Sequence, residues 1–290
     1  MRIKMLRMQR EDSKSSHKII KGVLIVIIST LFVMYALFPF AWMLATSLKT
    51  NPEAMSIPIT WIPERPTFQS YTQIWKGYHF TTYFMNSMLV ASSTALLATF
   101  IGALAGYGFS RSKFRGRTFL IGAFLATQMI SGTVIIGPYF KILAKLNLYN
   151  TRFGLMIALT TISLPFCAWM TKGYFDTIPP EIDQAAMVDG CSRFQAFLLV
   201  VSPLAVPGMV ATILFSFLLA WQDLLWALTL TATESTRTVT VGLAFFVGQF
   251  QVNWPMLMAA TLVASLPSVL LYVFLQRALV RGLTAGAVKQ

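Results

Sequence analysis

Charge is scarce in this chain. Asp, Glu, Lys and Arg make up 11% of its 290 residues, against ~25% in an average soluble domain. So few ionic side chains cannot coat a water-soluble globule of this size. Intrinsic disorder is excluded from the other direction: it requires low hydrophobicity, and 56% of the residues here are hydrophobic. Cysteine and histidine are nearly missing. Cys167 and Cys191 form no CxxC, so neither a disulfide framework nor a zinc site follows. His17 and His79 have no acidic or cysteine cluster beside them, which leaves no candidate metal ligands. The phosphate-binding patterns GxGxxG and GxxxxGK[ST] are both absent, and so is any Ser/His/Asp constellation. The chain therefore has no catalytic candidates and no ATP loop of its own.

What it has is apolar length. Mean hydropathy is +0.66, and a membrane-spanning helix needs ~20 mostly apolar residues. Charge-free intervals predict spans at about 22–47, 83–110, 118–140, 153–171, 207–230 and 255–275. The first apolar run, 22–48, is far longer than the ~7–15 residues of a signal-peptide core, so it reads as a retained helix. The expected fold is an all-α integral membrane protein with six transmembrane helices. It comprises an N-terminal segment 1–21, a transmembrane domain 22–281 and a tail 282–290. Net charge is +13. In so apolar a chain this reads as cationic loops that orient helices, not as a nucleic-acid surface. With the N-terminus inside, the inner segments hold 16 Lys and Arg and the outer ones 7. The positive-inside rule then places both termini in the cytoplasm. Gly102 and Gly106 form a GxxxG, which predicts close helix packing.

Residues 176–207, on the predicted cytoplasmic side, differ from the other loops. Pro179 and Pro180 suit a helix start, and Glu181 and Asp183 sit where the helix dipole favours negative charge. Gly190 suits a helix stop. Ser192 and Gln195 then form a capping box that opens a second helix. The pattern predicts helix, tight glycine turn, helix. Ile182, Ala185, Ala186 and Asp189 share one face of the first helix, small enough to enter a groove on another protein.

Within that segment lie Gln184, Ala185 and Ala186, then Gly190, then Val200, Val201, Ser202 and Pro203. This spacing resembles the EAA loop of ABC importer permeases. More narrowly, the chain resembles the second permease subunit of maltose-type carbohydrate importers. The supporting stretches are Phe84 to Ser87, Tyr107 to Arg111, Leu148 to Thr151, Phe217 to Leu228, and a tail from Gln276 to Lys289. Gln184 stands where the motif has glutamate, Ser202 where leucine is usual, and the span-five tract reads Trp221, Gln222, Asp223, Leu224.

The resemblance implies a permease subunit that pairs with a second permease subunit and two ATPase subunits. ATP and Mg are expected on those ATPases, and no cofactor on this chain. An extracytoplasmic solute-binding protein would deliver a sugar or oligosaccharide across a bacterial or archaeal inner membrane. Glu181, Asp183, Gln184, Ala185, Ala186, Asp189 and Gly190 would make the coupling helix that docks on an ATPase. Trp221, Gln222, Asp223 and Trp226 are candidates for the substrate pathway, since a charge such as Asp223 in a span should face a cavity or partner. The apolar stretch around Val241, Phe245, Phe246 and Gly248 is too short to span and is expected to meet the binding protein. Gly282, Thr284, Gly286 and Lys289 would lie near the ATPase interface. A permease for a non-sugar solute is the nearer alternative. A secondary transporter is disfavoured, because the spans carry almost no ionisable residue besides Asp223.

Overall fold

A backbone in hydrocarbon has no solvent partner for its N–H and C=O groups, so apolar runs of this length fold as helices. The computed structural model describes residues 2–77, 79–247 and 252–287, and among them it is all-α, with no strand. The helices are α1 (Arg2–Ser47), α2 (Asn51–Ala54), α3 (Gln69–Gly77), α4 (Phe80–Arg111), α5 (Arg117–Ala126) and α6 (Gly132–Lys145). They continue as α7 (Arg152–Phe175), α8 (Glu181–Val188), α9 (Arg193–Gln195), α10 (Ser202–Leu204), α11 (Val206–Trp221), α12 (Leu225–Leu230), α13 (Val239–Phe245) and α14 (Trp254–Ala287). A 3-10 turn, Thr127–Met129, extends α5, and a π turn, Ala196–Val201, joins α9 to α10.

Four helical segments are long and apolar enough to cross a bilayer on their own: Lys21–Ser47, Phe80–Arg111, Arg152–Phe175 and Trp254–Gln276. Two more crossings exist if each of two bent pairs counts as one. The third expected span is such a pair: Arg117–Met129 and Gly132–Lys145 meet at 97°. Its uniform apolar run hides a stop and a start. Ile130 and Ser131 leave helical geometry, and the Ser131 hydroxyl accepts from Thr133 N–H to cap α6. The fifth expected span also breaks. α11 ends at Trp221, α12 begins at Leu225, and residues 193–204 bend away from Val206–Trp221 by 83°. At the chain ends the helices outrun the expected segments: α1 begins at Arg2 and α14 reaches Ala287.

The chain divides into two compact units, 1–71 with 254–262 and 72–253 with 263–290. In the first, α1 is exposed along residues 22–41, as befits a helix that is apolar on every side. Thr67 N–H donates to the Leu48 carbonyl (2.8 Å), and Trp42 packs edge-on to Trp61. The second unit is built on α4, which packs along α7 and α11. The GxxxG is the contact with α7. A Cβ at Gly102 would lie 2.6 Å from Cys167 Cβ, and one at Gly106 would lie 2.7 Å from Lys172 N, so only glycine allows this approach. Thr171 Oγ1 donates to the Gly102 carbonyl at 2.9 Å across the same seam.

Candidate functional site

The segment 176–205 folds as a helical hairpin at one end of the second unit. α8 is closed by Gly190 at φ +93°, a conformation that side-chain-bearing residues rarely adopt. Ser192 and Gln195 form a complete capping box: Ser192 N–H donates to Gln195 Oε1 (2.8 Å), and Gln195 N–H donates to Ser192 Oγ (3.3 Å). Behind the hairpin lies an apolar seat of Ala103, Phe175, Ile178, Phe197, Val201 and Ala205.

The phase of α8 divides the residues expected to couple. Asp183 and Ala186, three residues apart on one face, turn inward and are 5% and 6% exposed. They are closed to a docking partner. Glu181, Gln184, Ala185, Val188 and Asp189 form the exposed face, with Gly190 at its end. Asp183 is fixed by α4. Arg111 Nε donates to Asp183 Oδ2 at 2.7 Å, and Tyr107 OH donates to the other carboxylate oxygen. Arg111 also donates to the carbonyls of Phe175 and Ile178, both at 3.0 Å. One guanidinium thereby joins α4, the end of α7 and α8. This joint is what sequence reasoning missed. Arg111 reads as one of four cations in 111–117, and a charge at a span end is ordinary.

The tract Trp221 to Trp226 falls in the break between α11 and α12. Trp221 is buried, stacked on Phe217 (5.5 Å), and its indole N–H donates to the Ala264 carbonyl (3.0 Å). Asp223 does not sit within a helix. Its carboxylate accepts from Ala227 N–H (2.9 Å) and Trp226 N–H (3.5 Å), which caps α12. Trp226 is buried edge-on to Tyr139 of α6 (5.0 Å). Of the four, Gln222 is exposed. The other break faces the same region, since a Cβ on Gly132 would lie 3.2 Å from the Trp226 indole nitrogen. Gln128, beside it, donates to the Ile162 carbonyl at 2.8 Å.

At the opposite end of the unit, α4 fastens the loop before α13. Asn86 Nδ2 donates to the carbonyls of Ser235 (2.9 Å) and Arg237 (2.8 Å), and Val239 N–H donates to Ser87 Oγ (2.8 Å). Tyr83 OH donates to Glu234. Asn150 Oδ1 accepts from Ala232 N–H (2.7 Å) and Thr233 N–H (3.1 Å). In α13 and the residue after it, Val241 and Phe246 are buried and Phe245 is exposed, with the Arg237 guanidinium 4.4 Å from its ring centre. Gly248 lies outside the described residues, as does Lys289; Gly282, Thr284 and Gly286 fall on the last turns of α14. Among the described residues there is no cluster of three metal-ligating side chains.

Known proteins share this architecture and sequence. Residues 98–285 match the family described as binding-protein-dependent transport system inner membrane component. The inner membrane ABC transporter permease protein YcjP of Escherichia coli is 39% identical over 89% of this chain and 93% of its own. The trehalose/maltose transport system permease protein MalG of Thermococcus litoralis is 32% identical over 94% of this chain and 98% of its own. A chain of the crystal structure of a bacterial ABC transporter involved in import of the acidic polysaccharide alginate superposes with a TM-score of 0.78. It is 20% identical and covers 89% of this chain and 96% of that one. A match this long to the family, together with relatives above 30% identity over most of both chains, means that this chain belongs to the binding-protein-dependent transport system inner membrane components, the permease subunits of ABC importers.

Proposed function

We propose that this permease subunit forms half of a translocation pathway for a sugar or oligosaccharide, opposite a second permease subunit. An extracytoplasmic binding protein delivers the solute. Two ATPase subunits, which bind ATP and Mg, dock from the cytoplasm. Relatives that carry trehalose, maltose or diacetylchitobiose in their names support the sugar class. The excess of Lys and Arg on the hairpin side supports cytoplasmic termini.

The observation that carries the reading is the hairpin's division of labour. Glu181, Gln184, Ala185, Val188 and Asp189 face outward, while Asp183 and Ala186 lock the same helix to α4 and the seat. A surface held this firmly transmits displacement and does not absorb it. Gln222 is the pathway residue of this reading. Backbone that leaves helical geometry at membrane depth is tolerated where it is buried in protein or lines a water-filled cavity, and the exposed Gln222 lies at one of two breaks, 130–131 and 222–224, that meet near Trp226. Trp221, Asp223 and Trp226 hold the frame around it. Phe245 is the exposed anchor offered to the binding protein, and the end of α14 lies on the ATPase side.

The test is substitution on the two faces of α8. Ala185→Trp is expected to leave the subunit in the membrane and remove the co-purifying ATPase, because the bulk lands on the docking face. Full sugar-stimulated ATP hydrolysis with Ala185→Trp would refute the docking assignment.

A further inference from the structure

We propose that the cavity between the start of α5 and the end of α7 holds the headgroup of an anionic phospholipid. The cavity has a volume of about 1050 Å³ and is bounded by residues of 113–121 and 169–177. Four cations line it: Lys113, Arg115, Arg117 and Lys172. The acid at its edge is Asp176, paired with Lys172 and 4.0 Å from Arg117. Lys113 and Arg115 make no ion pair among the described residues. The site therefore keeps a surplus of positive charge.

The remaining wall is apolar, and that decides the class of ligand. Trp169 and Phe119 line the cavity while 50% and 76% exposed. Both belong to helices that enter the membrane, α7 and α5. Arg117 opens one of these helices and Lys172 lies in the last turn of the other, so the cations sit at the boundary between polar and apolar phases. A basic pocket between transmembrane helices at this level fits a phosphate headgroup with acyl chains along the aromatic wall. The volume also argues against a small free anion. At about 1050 Å³ it is far larger than the space one inorganic phosphate fills. The proposal needs only that the chain spans a membrane and is independent of the sugar assignment.

The test uses the transporter with all its co-purifying subunits, reconstituted in nanodiscs of phosphatidylcholine with a minor fraction of phosphatidylglycerol. Retained lipid is read by native mass spectrometry. The wild type is expected to retain phosphatidylglycerol over phosphatidylcholine. The double variant Lys113→Gln/Arg115→Gln should retain it about 25-fold less well, at roughly fivefold per near-surface cation. Lys141→Gln/Lys145→Gln removes equal charge from α6 and should match wild type. Inorganic phosphate in large excess should not displace the lipid. Equal retention in the first variant overturns the proposal. Displacement by inorganic phosphate makes this a free-anion site instead, and loss of the second permease subunit from that variant makes it a subunit interface; either result overturns the proposal.

Discussion

Asp183→Ala tests whether α8 is held as rigidly as its contacts indicate. The substitution removes the carboxylate that pairs with Arg111 at 2.7 Å. Both side chains are largely withdrawn from solvent, with Arg111 16% and Asp183 7% exposed. Removing one member of a buried pair costs ~3–5 kcal/mol, because the other charge stays behind. Arg111 keeps the carbonyls of Phe175 and Ile178 as acceptors, so the low end, ~3 kcal/mol, applies. That is about 150-fold in the equilibrium for lifting the hairpin off its seat. α8 has eight residues, and isolated helices shorter than ~12–15 residues are marginal in water. Once lifted, it melts. The assay is amide hydrogen exchange in the assembled transporter. The amides of Asp189 and Cys191, bonded to the Ala185 and Ala186 carbonyls, should exchange about 150-fold faster. Arg111→Ala/Asp183→Ala should lose less than the sum of the two single changes, as expected of partners in contact. Unchanged exchange in Asp183→Ala would refute the argument.

Three further outcomes follow from the same geometry. Gly190→Val should lower thermal stability of the hairpin by ~1–2 kcal/mol from backbone strain alone, since no atom lies within 4 Å of the new Cβ; Gly190→Asn should cost less, and equal melting of the two variants would contradict this. Gly106→Leu should abolish folded expression, because its Cβ would sit 2.7 Å from Lys172 N, whereas Gly108→Leu, with open space around it, should express normally. Asn150→Ala should cost ~0.5–1.5 kcal/mol by stripping the acceptor from the exposed Ala232 and Thr233 N–H groups, measured as faster proteolysis within 231–238.

What was legible in the sequence was local. The hairpin could be read because a capping box and a glycine stop act within four residues of themselves, and Ser192, Gln195 and Gly190 adopt that geometry. The GxxxG was equally legible, because small residues at spacing four have one packing consequence. The phase of α8 was not. Asp183 and Ala186 share a face by helical periodicity, but which face turns inward is set by Arg111, 72 positions earlier in sequence. The breaks were hidden for another reason. Residues 118–140 carry no charge, so hydropathy sees one span. The interruption is marked by Ser131, whose capping role shows only when turn chemistry is read inside an apolar run. The role of Asp223 at the start of α12 was hidden likewise: a lone acid in an apolar tract points to a cavity or partner, and its bonds to the Trp226 and Ala227 N–H groups show only once the break before α12 is seen.

The distribution of breaks has a mechanical consequence. α4 has 32 residues, or about 48 Å of helix, and it is unbroken. At one end Tyr83, Asn86 and Ser87 hold the loop before α13; at the other Tyr107 and Arg111 hold α8. α7 is keyed to α4 through Gly102 and Gly106, and it too is continuous. Shifting the hairpin alone would mean breaking the bonds Arg111 makes to Asp183 and Ile178, whereas shifting it together with α4 and α7 breaks neither. Well-packed elements move as rigid bodies, and flexing falls to the few loop positions between them. Within the expected spans of this unit those positions are 130–131, between α5 and α6, and 222–224, between α11 and α12. The unbroken pair is therefore built to carry a displacement from one end of the unit to the other, and the broken pair is built to yield.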